Sequence, residues 1–416
     1  MKIVWIVNSL VGAIAKKHNI KLTSGQWLVA ALDQEKELKQ NEIVICTSSN
    51  SYEELVDENV KYIVLPHGSV TYYADTEEHR KDWKDLLDKE KPDMILVWGT
   101  EYTIGKCVLS ANQKEIPSLI YIQGVMTSIR KYYRGGLTDK QIKKMTTLPE
   151  KLRKRDIFTI EQSKDKSVKE EAESILLTDG IIVETKWASD EYLSINKDLK
   201  IFGSRLPINT KFSEFAWDKD NYKKHEIITT ASAYPLKGIH TALEMLVELK
   251  KSYPDVKLVV PGNNVFYVNG FKQKLAQSGY AKYIRKFIKK HRLEGNIDFV
   301  GALTSEEYAK RMATAEVFLS SSAVENHGSA IREAMSVGAP CAVSRVGGVP
   351  EFAIGGENCE SFEYGNVAEM IECVKRLFES QELKEKYSEL GRKKIKDMYT
   401  IDDLMPINEI YKLLVK

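Results

Sequence analysis

The stretch VFLSSSAVENHGSAIREAMSVG, residues 317–338, runs from an apolar segment through a polar loop into an amphipathic segment. VFLSSS is typical of a buried strand, whereas SAIREAMSVG places apolar residues at helical spacing. Ser329 is the expected helix N-cap and Gly338 the expected C-terminal stop. A helix that begins directly after a strand turns its free N–H groups and positive dipole end toward the connecting loop. The stretch therefore predicts an α/β domain with an anion site at the end of a strand.

The rest of the chain repeats this alternation of short apolar and longer amphipathic segments, which is typical of helices packed on a parallel sheet. Strands are predicted at residues 2–7, 42–47, 62–66, 94–99, 118–123 and 180–185, and then at 226–232, 257–262, 297–302, 317–322 and 340–345. Residues 204–225 carry a proline and many charges without any period, which is typical of a linker. We therefore predict an α/β protein with two Rossmann-like domains.

The predicted first domain spans residues 1–203, and the second spans 226–395. Residues 396–416 are expected to form a C-terminal helix that packs back toward the first domain. In open parallel sheets, ligands bind beyond the carboxyl ends of the strands. We therefore expect the functional residues in the loops that follow the strands.

Composition excludes several classes of protein. The chain has 416 residues, 43% hydrophobic and 29% charged, with a net charge of +2, so no overall attraction to nucleic acid is expected. Its five cysteines are scattered without a close pair, which favours neither a disulfide framework nor a zinc site. No segment approaches the roughly 18 consecutive apolar residues of a membrane span. We expect a cytoplasmic protein.

Two glutamates, Glu325 and Glu333, flank the predicted anion loop. A carboxylate beside a phosphate site is electrostatically unfavourable, but it can accept two hydrogen bonds from neighbouring sugar hydroxyls. Each glutamate also has a simpler interpretation. Glu325 alone fits a solvated loop residue, and Glu333 alone fits an exposed acid in the first turn of a helix.

The surrounding residues favour the sugar-binding interpretation. Residues 324–352, VENHGSAIREAMSVGAPCAVSRVGGVPEF, closely resemble the signature of glycosyltransferase family 4, the retaining nucleotide-sugar transferases of the GT-B fold. That signature has two glutamates with seven residues between them, an Ala-Met helix, a Gly-x-Pro turn and a Gly-Gly-x-x-Glu loop. The segments SAYPLKG, KLVVPGN and NIDFVGALTSEEY also occur in the family's order. The resemblance is strong over residues 226–375 and weaker in the first half, at Ser24-Gly25, 93–102 and 118–124.

The resemblance implies that the first domain binds the acceptor and that the second binds the nucleotide-sugar donor. By position, it implies that Glu325 holds donor-sugar hydroxyls, that Glu333 holds the ribose hydroxyls and that Lys237 faces the diphosphate. The implied donor-binding residues are Gly25, Ser232, Lys237, Gly262, Asn263, Leu303, Glu325, Asn326, His327, Gly328, Ser329 and Glu333, and the implied catalytic residues are Glu325, Lys237 and Gln123. No metal and no cofactor are expected, because Lys237 and helix N–H groups supply the positive charge and no Asp-x-Asp pair follows a strand. We expect a UDP-linked donor in preference to a GDP-linked one.

Two positions depart from the family pattern. Ser232 stands where the family usually carries a basic residue, and Gln123 stands where many members carry a histidine. Glutamine can orient a hydroxyl but cannot take its proton. A retaining reaction tolerates this if the departing phosphate oxygen accepts the proton. His327 is interpreted as a wall of the donor pocket and not as a base. The departures leave open a catalytically silent partner protein of the same fold, whereas the paired glutamates disfavour an epimerase.

The predicted function is retaining hexosyl transfer from a nucleotide-diphosphate sugar to a saccharide or lipid-linked saccharide, in bacterial surface polysaccharide synthesis. Neither the sugar nor the acceptor can be read from the sequence. Residues 130–155 hold ten Lys or Arg against two acids. A solvated helix face and contact with an anionic membrane both fit this segment, and nucleic acid fits least because no recognised motif accompanies it. The second basic segment, residues 282–292, is interpreted as the exposed face of an ordinary helix.

Overall fold

A computed structural model describes residues 1–20, 26–230, 234–262, 264–268, 270, 273, 276–399 and 405–415. The chain divides into two compact units. The first unit consists of Met1–Thr127, Lys164–Pro207 and Ile401–Lys416, and the second consists of Ser128–Ser163 and Ile208–Thr400.

The first unit is built on an eight-stranded sheet in the order β3-β4-β2-β1-β5-β6-β7-β8. Its strands are β1 (Lys2–Ile6), β2 (Glu42–Ser48), β3 (Glu53–Asp57), β4 (Val60–Leu65), β5 (Met94–Trp98), β6 (Ser118–Tyr121), β7 (Gly180–Val183) and β8 (Ile201–Gly203). All neighbouring strands are parallel except β3 and β4. Its helices are α1 (Gly12–Lys17), α2 (Gln26–Leu38), α3 (Glu77–Glu90), α4 (Thr103–Asn112) and, further along, Lys186–Leu193 and Ile407–Leu414.

Four helices lie between β6 and β7 in the chain, α5 (Met126–Tyr132), α6 (Asp139–Met145), α7 (Leu148–Leu152) and α8 (Ile157–Leu177). The helix Lys186–Leu193 is then α9. The first unit ends and the second begins within α5, and the chain returns to the first unit within α8.

The second unit is built on a six-stranded parallel sheet in the order β11-β10-β9-β12-β13-β14. Its strands are β9 (Lys223–Thr229), β10 (Lys257–Pro261), β11 (Ile297–Gly301), β12 (Ala315–Ser320), β13 (Cys341–Ser344) and β14 (Glu360–Phe362). Its further helices are α10 (Ile239–Ser252), α11 (Gly279–Lys290), α12 (Ser305–Thr314), α13 (Ser329–Val337), α14 (Val367–Glu379) and α15 (Gln381–Met398), and Ile407–Leu414 in the first unit is α16.

The central strands are buried over their whole length. Every residue of β5, MILVW, and of β12, AEVFLS, is buried. Continuous apolar strands of this kind are expected where helices cover both faces of a parallel sheet. The structure confirms the predicted α/β class with two Rossmann-like sheets.

The predicted domain boundary differs from the structure at residues 128–163, which belong to the second unit and not to a first domain of residues 1–203. The apolar residues of this segment, among them Tyr133, Ile142 and Met145, are buried in one core with residues of α10 and α11. Their burial with these helices explains why the segment joins the second unit. At the other end of the chain, Ile410 and Tyr411 of α16 are buried in the core of the first unit.

Candidate active site

The turn that carries Lys237 packs tightly against the loop after β12. Lys237 ends a short 3-10 helix, and Gly238 follows with φ +73°. A Cβ atom on Gly238 would lie 1.9 Å from the carbonyl oxygen of Ser321, so only glycine allows this approach. The N–H of Ala323 donates to the carbonyl of Leu236 at 2.7 Å. These contacts hold the Lys237 turn beside the segment that leads to Glu325.

The backbone of Glu325 is held from its other side by the Gly-Gly loop after β13. The N–H of Gly348 donates to the Glu325 carbonyl at 3.1 Å. Gly347 has φ +54°, and a Cβ atom on it would lie 1.8 Å from the same carbonyl oxygen. The resemblance therefore has a physical basis here, because Gly347 permits close contact with the backbone that carries Glu325.

Lys237 and Glu325 form an ion pair, with 2.5 Å between Nζ and Oε1. Both side chains are largely shielded, at 24% and 17% exposure. Burial alone would raise the pKa of Glu325, but the charge and hydrogen bond of Lys237 lower it. Burial would likewise lower the pKa of Lys237, and Glu325 raises it. Both groups are therefore charged at neutral pH, so an ammonium is available to face a diphosphate and a carboxylate to accept hydroxyl hydrogen bonds.

The helix α13 begins at the expected place with a different cap. Gly328, with φ +54°, is the N-cap, and Ser329 is the first helical residue, so the prediction of Ser329 as N-cap was wrong. The left-handed backbone that the loop adopts here favours glycine over serine. No side-chain hydrogen bond caps this end, which leaves the N–H groups of the first turn directed at the loop. Gly338 ends the helix, as predicted.

Glu333 lies half-buried one turn further along α13. Burial raises its pKa to about 8, and the neighbouring Arg332 only partly opposes this. The charge of Glu333, together with burial, also raises the pKa of Tyr308 in α12. The Tyr308 hydroxyl is shielded from solvent and makes no hydrogen bond within the described part of the chain. Sequence reasoning missed Tyr308, since a tyrosine in an amphipathic helix carries no motif signal.

The other predicted donor residues fall into two groups. Gly262 follows β10 and has φ +105°, and Leu303 is half-buried in the loop before α12. Asn326 is buried. His327 is half-buried and is close enough for its charge to lower the pKa of Glu325. The predicted roles of Gly25, Ser232 and Asn263 lie outside the described residues.

Gln123 follows β6 in the first unit and is half-buried. A Cβ atom on Gly99, after β5, would lie 2.2 Å from Oε2 of Glu101 and 3.2 Å from Cδ of Gln123. The side chains of Glu101 and Gln123 therefore meet over the same glycine. Among the residues after these two strands, only Gln123 was predicted from the sequence as a site residue, and Glu101 was missed. The glutamate in WGTE, directly after a buried strand, was the signal that could have found Glu101.

Over the described ranges, no three His, Cys, Asp or Glu side chains come together in a way that could hold a metal ion. The absence of an essential metal stays a prediction, to be tested with a chelator.

Comparison with known proteins identifies the second unit. Residues 211–394 match the family model "Glycosyl transferases group 1". One subunit of the phosphatidylinositol N-acetylglucosaminyltransferase from Arabidopsis thaliana is 30% identical over 115 residues, which are 28% of this chain and 23% of that protein. The match thus spans about a quarter of this curated relative.

Two solved structures extend the likeness to both units. Sucrose-phosphate synthase from Thermosynechococcus elongatus aligns with a TM-score of 0.72 at 15% identity, over 99% of this chain and 98% of that chain. Anabaena HepE, solved with UDP and glucose, aligns with a TM-score of 0.61 at 14% identity, over 100% and 99%. At such identities these alignments establish the fold alone.

The fold is that of the GT-B glycosyltransferases, as predicted. Residues 211–394 form a glycosyl transferases group 1 domain. Membership of the narrower glycosyltransferase family 4 stays a prediction.

Proposed function

We propose that the protein transfers a hexose from a UDP-linked sugar to a saccharide or lipid-linked saccharide acceptor, with retention of the anomeric configuration. The observation that carries this proposal is the Lys237–Glu325 ion pair. Glu325 lies in the loop that leads from β12 to the N-terminus of α13. The HepE structure, which contains UDP and glucose, supports a UDP-linked donor. Bacterial surface polysaccharide synthesis is the proposed context.

The described groups supply what this reaction requires. Lys237 and the first N–H groups of α13 stabilise charge on the departing diphosphate. Glu325 accepts hydrogen bonds from hydroxyls of the donor sugar, and Glu333 accepts them from the ribose. The bond between the anomeric carbon and the diphosphate oxygen breaks, and the acceptor oxygen forms the new bond on the same face. The acceptor proton passes to the departing diphosphate oxygen, so no histidine is required at Gln123.

The proposal is tested by turnover of UDP-α-glucose and UDP-α-N-acetylglucosamine, measured as the release of UDP. We expect release by wild-type protein, a loss of at least about 100-fold in Glu325→Ala, and no change in Glu357→Ala, an exposed control in the same unit. A catalytically silent partner protein would instead be stabilised by UDP without releasing it from either donor. If the protein neither binds UDP nor releases it, the proposal is contradicted.

We further propose that residues 130–155 contact an anionic membrane surface. The short helix α7 in this segment buries none of its residues, and Leu148 and Leu152 are 70% and 76% exposed. Lys151, Arg153 and Lys154 beside them are also exposed. Exposed leucines flanked by basic residues favour a membrane interface, where the leucines enter the headgroup region and the cations face anionic lipid. Within the described chain, no helix is both long and apolar enough to cross a bilayer.

The second basic segment extends this surface. Lys282, Lys286 and Lys290 of α11 line a groove of about 490 Å³ together with Lys144 of α6. Tyr283 and Phe287 also line the groove, whose described lining residues include no acid. The face that sequence analysis assigned to an ordinary solvated helix therefore adjoins the proposed membrane surface and carries the same charge.

Not all of the basic residues in the segment are available for lipid. Arg130 and Arg134 both bind Glu161, at 2.9 and 2.7 Å. Charge reversal should therefore act through the α11 lysines and through Lys151 and Lys154.

Sedimentation with vesicles of phosphatidylcholine, with or without phosphatidylglycerol, tests the membrane proposal. We expect binding to the anionic vesicles at low salt, weakened at 0.5 M salt and by K282E/K286E/K290E. Reversal of three lysines on α15, Lys393, Lys394 and Lys396, which form no described ion pair, is the matched control. If K282E/K286E/K290E binds as well as the control variant, or if wild-type protein does not bind, membrane contact through this surface is contradicted.

A further inference from the structure

The Lys237 turn is also contacted by the segment 128–163, which belongs to the second unit. Gly135 of this segment has φ +55°, and a Cβ atom on it would lie 2.2 Å from the carbonyl oxygen of Pro235. Pro235 begins the 3-10 helix that Lys237 ends, and its carbonyl accepts the N–H of Gly238 at 2.9 Å. The backbone of Gly135 therefore lies directly against the turn, at a distance that only a residue without a side chain allows.

His240 holds Gly135 in this place from the helix that follows the turn. It is the second residue of α10, and it is buried. Its Nε2 lies 2.7 Å from the carbonyl oxygen of Gly135, and its Nδ1 lies 2.9 Å from the hydroxyl oxygen of Tyr280 in α11. Because a carbonyl can only accept, Nε2 carries the proton, and Nδ1 of the neutral ring accepts from the Tyr280 hydroxyl. Both ring nitrogens are thus bonded, as the burial of a polar ring requires.

The ring of His240 is uncharged at neutral pH. Burial lowers its pKa to about 4, and the hydrogen bond to the Gly135 carbonyl opposes this shift only in part. His240 therefore adds no positive charge close to Lys237 in the chain. Its effect on the turn comes from its two hydrogen bonds.

The Lys237 turn is thus held at two places. The hydroxyl of Ser321, after β12, donates to the carbonyl of Gly238 at 3.1 Å, and Gly135 contacts the carbonyl of Pro235. Lys237 lies between these two points in the chain, and its ammonium reaches Glu325 from there. A shift of the turn would move the ammonium relative to the carboxylate, and a misplacement of about 1 Å can lower a rate by about 100-fold.

We propose that His240 is a positioning residue, whose hydrogen bond to Gly135 holds the Lys237 turn where the ammonium meets Glu325 and the departing diphosphate. The inference rests on the proposed sugar transfer for the role of Lys237, but the position of the turn can be measured without turnover. His240 acts through the turn and not on the donor. The bond to Tyr280 joins two helices and has no part in this role.

Substitutions that keep one hydrogen bond and remove the other test the proposal. His240→Gln keeps an N–H near the place of Nε2 and can donate to Gly135, whereas His240→Asn keeps an amide only near the place of Nδ1. Tyr280→Phe is the matched control, because it removes the other buried hydrogen bond of the same histidine. His240→Asn and Tyr280→Phe should lower the melting temperature by similar amounts.

Their kinetics should differ. We expect kcat for UDP release to fall about 10- to 100-fold in His240→Asn, with a smaller change in the donor KM, and to stay within about threefold of wild type in His240→Gln and Tyr280→Phe. Equal losses of kcat in His240→Asn and Tyr280→Phe would show a merely structural role and overturn the proposal. Wild-type kcat in His240→Asn would overturn it as well.

Alanine at two neighbouring glycines tests the same contact from its other side. Gly135→Ala directs a Cβ atom at the Pro235 carbonyl. Gly136→Ala is the matched control, because Gly136 also has positive φ, at +76°, but its Cβ would meet nothing nearer than the Tyr364 hydroxyl at 3.7 Å. We expect Gly135→Ala to lower kcat as His240→Asn does and Gly136→Ala to keep it. Equal kcat in the two alanine variants would contradict positioning through Gly135.

Amine labelling measures the position of the turn without turnover. Lys237 is shielded and ion-paired, so formaldehyde with cyanoborohydride should methylate it slowly in wild type, as measured by mass spectrometry of its peptide. We expect labelling to be several-fold faster in His240→Asn and Gly135→Ala and unchanged in Tyr280→Phe and Gly136→Ala. Unchanged labelling in the first two variants would overturn the proposal. If labelling rises as expected but wild type releases no UDP from either donor, the proposed sugar transfer is contradicted and the positioning of the turn is supported.

Discussion

Glu325 of the second unit and Glu101 of the first occupy similar places, each in a loop after a buried parallel strand, yet their surroundings differ. Glu325 is ion-paired with Lys237, which lowers its pKa. Glu101 has a lysine nearby but outside contact, and its pKa is raised by burial. The second unit therefore holds a carboxylate whose charge is balanced by a lysine, and the first holds a buried carboxyl group that backbone N–H groups hold in place.

The difference shows two ways of holding a buried carboxyl group at a strand end. An ion pair keeps both charges fixed before a diphosphate arrives, which fits the proposed donor site, where charge must be stabilised during bond cleavage. Backbone N–H groups hold the other carboxyl group with no cation in contact, so burial dominates and its pKa is raised. Four changes test this comparison, and they follow from the largest expected effect to the smallest.

Lys237→Met should have the largest effect. It removes the cation that we propose to face the diphosphate, and it takes the ion-pair partner from the shielded Glu325 carboxylate. We expect turnover of UDP-sugars to fall by at least about 100-fold, measured by initial rates of UDP release. Lys393→Met, a surface lysine of α15 in the same unit, should keep wild-type rates. Turnover within threefold of wild type in Lys237→Met would separate the ion pair from the chemistry.

Alanine at two glycines should distinguish the two strand ends by stability. Gly238→Ala would place Cβ 1.9 Å from a backbone oxygen, and Gly99→Ala would place it 2.2 Å from the end of the Glu101 side chain. Both positions have positive φ, at +73° and +87°. We expect a loss of about 2–4 kcal/mol for Gly238→Ala but about 1–2 kcal/mol for Gly99→Ala, because a side chain can rotate away.

Urea unfolding of both glycine variants measures these free energies. A larger destabilisation from Gly99→Ala than from Gly238→Ala would show that the Glu101 loop is the more rigid of the two.

Glu333 should produce a smaller, pH-dependent effect. Its pKa is raised from 4.5 to about 8 by burial, with Arg332 opposing the shift. The folded state therefore holds the proton more tightly than the unfolded state, so this contribution to stability is full below about pH 4.5 and is lost as the pH rises toward about 8. Glu333→Gln should unfold at a higher temperature than wild type at pH 8 and at a similar temperature at pH 5. Parallel curves of melting temperature against pH for the two proteins would contradict this environment.

The affinity for UDP should also depend on the protonation of Glu333. Ribose hydroxyls are best accepted by the ionised carboxylate, so UDP affinity of wild type should rise a few-fold between pH 6 and pH 8 relative to Glu333→Gln. Calorimetry at several pH values measures it. A constant affinity ratio would place the ribose elsewhere.

The sequence was sufficient for the class of fold because its central strands are largely apolar and fully buried, as in β5 and β12. Strands β3, β8 and β14 were missed. In β3, exposed residues alternate with partly buried ones, and the strand has no apolar run. Strands β8 and β14 have only three residues each. The assignment of residues 128–163 to the first domain was wrong because periodicity shows that a helix has an apolar face but not which core buries it.

The residues of the candidate site also divide into those that the sequence could place and those that it could not. Lys237, Glu325 and Gly328 could be placed from the sequence because close backbone contacts require glycines at fixed positions, which leaves a readable pattern. Glu101 was indicated only by its place after a buried strand, and Tyr308 by no pattern at all, since what marks Tyr308 is a buried hydroxyl without a hydrogen-bond partner in the described part of the chain. Such burial depends on what surrounds a side chain in three dimensions and leaves no spacing in the sequence.

The anomeric configuration of the first product tests the central claim most directly. Proton NMR of the sugar released or transferred from UDP-α-glucose, read before the anomers equilibrate, reports on the face of attack. A balanced Lys237–Glu325 pair, with no base required at Gln123, predicts an α-configured product that disappears in Lys237→Met. A β-configured product would contradict same-face transfer and the roles assigned to both strand ends.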